Sequence, residues 1–249
     1  MERWIGRVAV VTGASSGIGE SVAKELTKQG MKVAALARRV DRLQALEEEC
    51  SNFEGSLKSY KCDVTNEDEI VSVIKEIVDD LGPISALVNN AGMATPHALT
   101  DTSMGSGREI FDTNVIGVII MTQNVIEQMK SNNIDDGHII NINSMAGHTV
   151  LPIKFMSNYC ASKNAVTILT ESLKNELASL KSKIRVTSIS PGIVKTALSE
   201  AALGHLPLPF LLPQDVADAI VYALSARPDI NISELTIQPV GETMMSFCD

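Results

Sequence analysis

The chain has 249 residues, 45% of them apolar, with 30 acidic against 21 basic side chains and a net charge of −9. That length suits one α/β domain with a large core, and the acidic balance argues against nucleic acid or an anionic membrane as partner. No apolar stretch approaches the ~20 residues needed to span a bilayer, and the start, Met-Glu-Arg-Trp-Ile-Gly-Arg, lacks the apolar core of a secretion signal. The four cysteines, Cys50, Cys62, Cys160 and Cys248, show neither metal-ligand spacing nor a disulfide framework. A reducing, cytoplasmic setting is therefore expected.

Residues Arg7–Thr12 form a Val-rich run that suits a strand buried on both faces. Gly13-Ala-Ser-Ser-Gly17-Ile-Gly19 follows, then a helical pattern with Ile18, Val22, Ala23 and Leu26 on one side and Gly30 as a stop. Lys32–Ala37 is a second apolar strand. Strand, glycine turn, helix and strand make a βαβ unit whose turn lets the backbone approach a pyrophosphate at a helix N-terminus. The spacing Gly-x-x-x-Gly-x-Gly departs from the usual dinucleotide fingerprint, and taken alone the turn could be no more than a tight connection. An acidic residue at the end of the second strand would bond ribose hydroxyls. Here Arg38 and Arg39 stand instead, and arginine pairs with a 2′-phosphate. The competing reading has them as solvated residues opening the helix Val40–Cys50, a place where cations are disfavoured. NADP is expected over NAD.

Strand and helix continue to alternate. Leu57–Lys61 is a third strand, Asn66–Leu81 an amphipathic helix stopped by Gly82-Pro83, and Ala86–Asn89 a fourth strand. A long helix is expected from about Arg108 to Met129, with Asn114 inside it. His138–Asn143 and Arg185–Ser190 are strands flanking the helix Tyr159–Leu180. Pro213–Ala223 is a short helix and Leu235–Gln238 a final strand. The pattern predicts a single-domain α/β fold, a doubly wound parallel (Rossmann-like) sheet of about seven strands with helices on both faces. The cofactor half would cover about 1–145 and the catalytic and substrate half about 146–249.

Tyr159 and Lys163 lie four residues apart, on one face of the predicted helix. An ammonium beside a phenol favours the phenolate and is expected to lower the tyrosine pKa from about 10. Such a tyrosine exchanges a proton with a carbonyl or alcohol oxygen, and the hydroxyl of Ser144, at the end of a strand, can hold that oxygen. Asn-Ser-Met-Ala-Gly is not a hydrolase nucleophile elbow. His148 either touches substrate or bonds backbone or water. Met93, Met145 and Met156 flank strand ends and either fill the core or line a pocket. Cys160 is expected to pack.

With these residues in view, the chain resembles the short-chain dehydrogenase/reductase family over almost its whole length. The motifs are Thr12-Gly-Ala-Ser-Ser-Gly-Ile-Gly19, Asn89-Asn-Ala-Gly92, Asn114, Ser144, Tyr159-x-x-x-Lys163, and Pro191-Gly192 with Thr196. The resemblance implies Tyr159 as general acid/base and Lys163 as ribose ligand and pKa modulator. It implies Ser144 as positioner of the substrate oxygen and Asn114 as holder of a water in the proton relay. Cofactor contacts are implied from Gly13, Ser15, Ser16, Gly17, Ile18, Gly19, Arg38, Arg39, Asp63, Val64, Asn90, Ala91, Gly92, Tyr159, Lys163, Pro191, Gly192, Val194 and Thr196. The opening Met-Glu-Arg-Trp, the stretch Asp135–Ser144 and Ile189–Gly192 are similar to the farnesol-dehydrogenase and dehydrogenase/reductase-member-eleven group. Members of that group use NADP on lipophilic alcohols and ketones, isoprenoids and steroids included.

The expected function is NADP(H)-dependent hydride transfer at a lipophilic alcohol or carbonyl, in a homo-oligomer of two or four chains, with no metal. The alternatives are an NAD-dependent steroid-type dehydrogenase and a non-catalytic NADP-binding sensor. The segment Ala197–Leu212 is apolar and shorter than the family's substrate lid. Candidate substrate contacts in the chain are Ser144, Met145 and Met156, with Leu198 and Phe210 from this segment, and Gly204, Pro207 and Pro209 limit the segment to short helical pieces.

Overall fold

The computed structural model describes residues 1–101, 103, 107–151, 153–203 and 208–242. Cys248, Gly204 and Pro207, weighed above, lie outside the described residues. Seven parallel strands form one sheet in the order β3-β2-β1-β4-β5-β6-β7. They are β1 (Val8–Thr12), β2 (Lys32–Ala37), β3 (Ser56–Lys61), β4 (Ile84–Asn89), β5 (His138–Ile142), β6 (Arg185–Pro191) and β7 (Glu234–Ile237). The helices are α1 (Gly17–Lys28), α2 (Val40–Glu49), α3 (Glu67–Leu81), α4 (Arg108–Phe111), α5 (Gly117–Ser131), α6 (Ser157–Ser179), α7 (Ala197–Leu203) and α8 (Pro213–Ser225). The architecture is the doubly wound sheet that the alternation predicts, with boundaries displaced by a residue or two.

Successive side chains of a strand point to opposite faces, and the central strands feed two cores. Ala9 and Val11 of β1 pack with α1 and α8 through Val22, Leu26, Val216 and Ile220. Val8 and Val10 pack with α3 and α5 through Ile70, Ile77, Met121 and Val125. β1, β4, β5 and β6 are buried at every position, which is why β1 reads as a continuous apolar run rather than an alternating one, while β6 buries Arg185, Thr187, Ser188 and Ser190 among its apolar residues. Asn66 caps α3, its side chain accepting the Glu69 N–H at 3.3 Å. Gly82, at φ +99°, ends that helix in a conformation that side-chain-bearing residues avoid.

Two features depart from the sequence reading. The long helix from Arg108 is not uniform: α4 and α5 are joined by a π-helical turn, Asp112–Ile116. The cause is local. Asn114 is drawn inward by bonds at both ends of its amide, and a Cβ on Gly117 would meet the Val64 carbonyl at 2.8 Å. The N-terminal residues also form a short 3₁₀ turn, Glu2–Trp4, that sequence periodicity does not reveal. Trp4 is fully buried, its indole N–H donates to the Leu224 carbonyl at 2.9 Å, and the Arg3 and Arg7 guanidinium groups lie 4.7 and 5.0 Å from its ring centre.

Trp4 thus fastens the N-terminus to the end of α8. Trp4→Ala should lower unfolding free energy by about 3–5 kcal/mol in urea titration, as for other buried aromatic truncations. A loss below about 1 kcal/mol would show that the turn is not part of the cooperative core.

Candidate active site

The strand order reverses between β1 and β4, and a cleft of about 720 Å³ opens above the carboxyl ends of the strands. Open α/β sheets bind ligands at such a switch point. The first wall is the turn between β1 and α1. Gly13 and Gly17 take φ +68° and +59°, and a Cβ on Gly13 would lie 2.9 Å from Ala91 Cα. Thr12 and Asn90 tie this turn to β4: Thr12 Oγ1 accepts the Asn90 and Ala91 N–H groups at 3.0 Å each, and the Asn90 amide donates to the Thr12 carbonyl at 2.9 Å. Asn90 therefore organises the wall as well as lining it. Gly19 is not on the cleft surface. A side chain there would collide with Gly13 O and the Asn90 amide, so this glycine serves close packing rather than the ligand contact expected of it.

Ser16 stands at the N-cap of α1 but makes no capping bond. Its hydroxyl, with that of Ser15, accepts from the Arg39 guanidinium at 2.7–3.1 Å. The first-turn amides of α1 are left for an anion. Arg38, largely exposed, approaches Asp63 at 3.7 Å. Both arginines line the cleft with Ala37, Asp63 and Val64. The residues fit a phosphorylated dinucleotide: glycines that permit close approach, free helix amides and two guanidinium groups.

At the other end lie Ser144, Tyr159, Lys163, Pro191, Gly192, Val194 and Thr196. Ser144 begins a 3₁₀ turn, Met145–Gly147, its oxygen accepting the Ala146 N–H at 3.1 Å while its hydroxyl bonds the Tyr159 phenol. Lys163 Nζ donates to the Ile142 carbonyl at 2.8 Å and lies 5.9 Å from the Tyr159 ring centre. Asn114 is buried behind this group. Its oxygen accepts the Met93 N–H at 2.8 Å and its nitrogen donates to Met93 O and to Ser162 Oγ at 3.0 Å each. Ser162 in turn donates to the Tyr159 carbonyl at 2.8 Å. The π turn is thereby tied to the first turn of α6.

The electrostatics correct one expectation. Tyr159 is not lowered; burial pushes its phenol above 10, outweighing the Ser144 hydrogen bond. The ring keeps partial access to the cleft, so this is the burial of a cleft wall rather than of a core. Burial pushes the Lys163 ammonium down from 10.5 to about 8. The same desolvation acts on both groups and favours their neutral forms.

Met93, Met145, Met156 and Leu198 line the cleft, joined by Leu151 and Ile153. Phe210 does not; it is half exposed, with Lys195 Nζ 5.0 Å from its ring centre. Cys160 packs against Met156 and Ala146. His148 bonds neither backbone nor the cleft: its Nε2 lies 2.6 Å from Glu234 and 3.1 Å from Ser190. Sequence reasoning also missed Glu109, Asp112, Thr113, Ile193 and Glu242 on the cleft wall. Glu109 stands three residues before the π turn, Asp112 and Thr113 lie within it, and Glu242 follows a turn after β7, so no motif marks them. Among the described residues no acidic, His and Cys group could hold a metal, and no helix is long and apolar enough to cross a membrane.

Sheet order, glycine turn and the Ser-Tyr-Lys cluster define a dinucleotide-binding oxidoreductase site. Residues 7–205 match the short chain dehydrogenase family, and the chain belongs to it. It is 44% identical to dehydrogenase/reductase SDR family member 11 of Gallus gallus, over 97% of this chain and 99% of that one. It is 43% identical to farnesol dehydrogenase of Aedes aegypti over the same shares. Among solved structures, a short-chain dehydrogenase/reductase from Mycobacterium marinum superposes with a TM-score of 0.87 at 33% identity, covering 94% of this chain and 95% of that one. Serine dehydrogenase complexed with NADP+ superposes at 0.85 with 32% identity, covering 95% and 96%.

The depressed ammonium generates a pH signature. Between pH 8 and 10.5 the unfolded chain holds a proton on Lys163 that the folded chain has lost, so stability gains with rising pH across that window. The drop from 10.5 to about 8 corresponds to roughly 3 kcal/mol at 1.36 kcal/mol per pH unit. Wild-type stability minus that of Lys163→Met, from denaturant titrations without cofactor, should rise by that order over the window. A flat difference would show that Lys163 is charged in the folded state.

Proposed function

We propose that this protein is an NADP(H)-dependent oxidoreductase acting on a lipophilic alcohol and the corresponding aldehyde or ketone. The observation that carries the cofactor choice is the pair of guanidinium groups after β2, one held on the Ser15 and Ser16 hydroxyls and one exposed beside Asp63. A 2′-phosphate would pair with both. Solved relatives bound to NADP or its analogue are in line with this reading.

The cofactor supplies the hydride acceptor or donor, and the chain's residues do the rest. The substrate oxygen sits against Ser144 Oγ, which donates a hydrogen bond to it. In reduction, the Tyr159 phenol gives its proton to that oxygen as negative charge develops there. A phenol held above pH 10 by burial is fully protonated at neutral pH, as this direction requires. In oxidation the phenolate must take the alcohol proton, and the Lys163 ammonium stabilises it. Asn114 and Ser162 fix the geometry from behind. Met93, Met145, Leu151, Ile153, Met156 and Leu198 provide an apolar wall for the rest of the substrate. The similarity to farnesol dehydrogenase and dehydrogenase/reductase member 11 supports an isoprenoid alcohol or a steroid as substrate class.

A turnover screen with NADP(H) and NAD(H), over isoprenoid alcohols, steroids and small diketones, tests the reading directly. With the best substrate, Arg38→Asp should weaken NADP binding tenfold or more, since hydrogen bonds to charged groups contribute about 1.5–3 kcal/mol. NAD binding should hold or improve. Equal loss for both dinucleotides would make Arg38 a structural residue and remove the basis for the NADP assignment.

A further inference from the structure

One buried histidine behind the cleft wall has no part in the reaction just described. His97 follows β4, and only 6% of its surface is exposed. Its backbone N–H donates to the Phe155 carbonyl at 3.0 Å, and Phe155, at φ +67°, holds a conformation that bulky side chains avoid. The ring Nδ1 lies 3.0 Å from the Thr95 carbonyl, and Nε2 lies 3.1 Å from Glu109 Oε1 on α4. The Thr95 hydroxyl, 3.2 Å from Nδ1, donates to the same Glu109 oxygen at 3.4 Å. A carbonyl and a carboxylate only accept hydrogen bonds, so each ring nitrogen must carry a proton. A proton on Glu109 would satisfy the same geometry, but imidazole is the stronger base of the two. The contacts therefore assign an imidazolium paired with a carboxylate. Arg108 and Asp112 of α4 pair with each other at 3.5 Å, and Lys154, next to Phe155, is exposed, so Glu109 is the charge that faces the ring.

Three segments that wall the cleft meet at this residue. The first follows β4 and carries Met93, whose N–H is held at its near end by Asn114. The second is α4, where Glu109 lines the cleft. The third connects β5 to α6, and its cleft residues Ile153 and Met156 flank Phe155. Ala94 and Ile153 pack on the cluster of Ala146, Met156 and Cys160, so the first and third segments also share an apolar contact. None of the three belongs to the sheet, and their spacing depends on bonds such as those of His97. We propose that His97 is a positioning residue that sets the substrate range: as an imidazolium it clasps the three segments and so presses their apolar wall onto the tail of a long lipophilic substrate. The inference rests on the lipophilic-substrate reading above but not on the choice of dinucleotide.

The test compares oxidation of prenol and farnesol, allylic alcohols that share a head group and differ in tail length. At about pH 6, His97→Ala should raise KM for farnesol about tenfold, the effect of losing contact with about two buried methylenes. KM for prenol should stay within about twofold, and kcat should change little for either alcohol. His97→Gln keeps the bulk without the charge and gives the same split should the alanine variant not fold. Raising the pH to about 9 removes the ring proton, so in wild type the ratio of farnesol KM to prenol KM should climb toward that of the variants, in which it stays flat. Long-range ¹H–¹⁵N spectra at about pH 6 should show both ring nitrogens of His97 protonated. Without any substrate, deuterium exchange over residues 93–98 and 153–157 should be faster in the variants than in wild type. A neutral ring, unchanged exchange, or an equal rise in KM for both alcohols overturns the proposal. A wild type that turns over no alcohol or carbonyl would instead overturn the functional reading, while the ring spectra and the exchange still decide whether His97 is the clasp.

Discussion

The site depends on how closely two strand ends approach each other. β1 and β4 are neighbours whose connections leave in opposite directions, and the crevice between those connections is the cleft. Its floor is held by the exchange between Thr12 and Asn90, and the two strand ends stay close because Gly13 and Gly19 carry no side chain. A single methyl on either glycine would press on Asn90 and push the two strand ends apart. Everything above the floor is placed relative to it: the free amides of α1, the arginines after β2, and the Ser144 turn after β5.

The second constraint is desolvation. The cleft holds a phenol and an ammonium in one poorly hydrated corner, and burial moves their pKa values apart, the phenol up from 10 and the ammonium down from 10.5 to about 8, so that both neutral forms are favoured. The arrangement is kept in register by a relay of side-chain bonds from Met93 through Asn114 and Ser162 to the Tyr159 carbonyl. That relay explains why the helix holding Asn114 adopts a π turn, a distortion that recurs at functional sites.

Much of this was legible in the residues. Strands buried on both faces announce themselves as apolar runs, and helices such as α3 carry their caps and stops in sequence, so the sheet and its helices could be read in order. The glycine turn and the Tyr159–Lys163 spacing mark chemistry because local geometry dictates them. The rest depends on tertiary contacts. Trp4 looks like one aromatic in a polar leader until Leu224 and the arginines surround it. His148 meets Glu234 across 86 positions of sequence and Glu242 meets Ile193 across 49, and no local pattern encodes either. The sign of the Tyr159 shift was misread because spacing reports that Lys163 is near but not how much water both have lost. Phe210 was placed by composition alone, which cannot tell a cleft wall from an outer face.

The claim at the centre of this account is that the Tyr159 hydroxyl transfers the proton that accompanies hydride transfer. Single-turnover stopped-flow of Tyr159→Phe with bound NADPH and a carbonyl substrate addresses it most directly, since the ring and the packing are kept and only the hydroxyl is lost. Hydride transfer should slow by at least ~10²-fold, with NADPH affinity unchanged within about threefold. A transfer rate close to wild type would contradict the account and require the proton to come from another group.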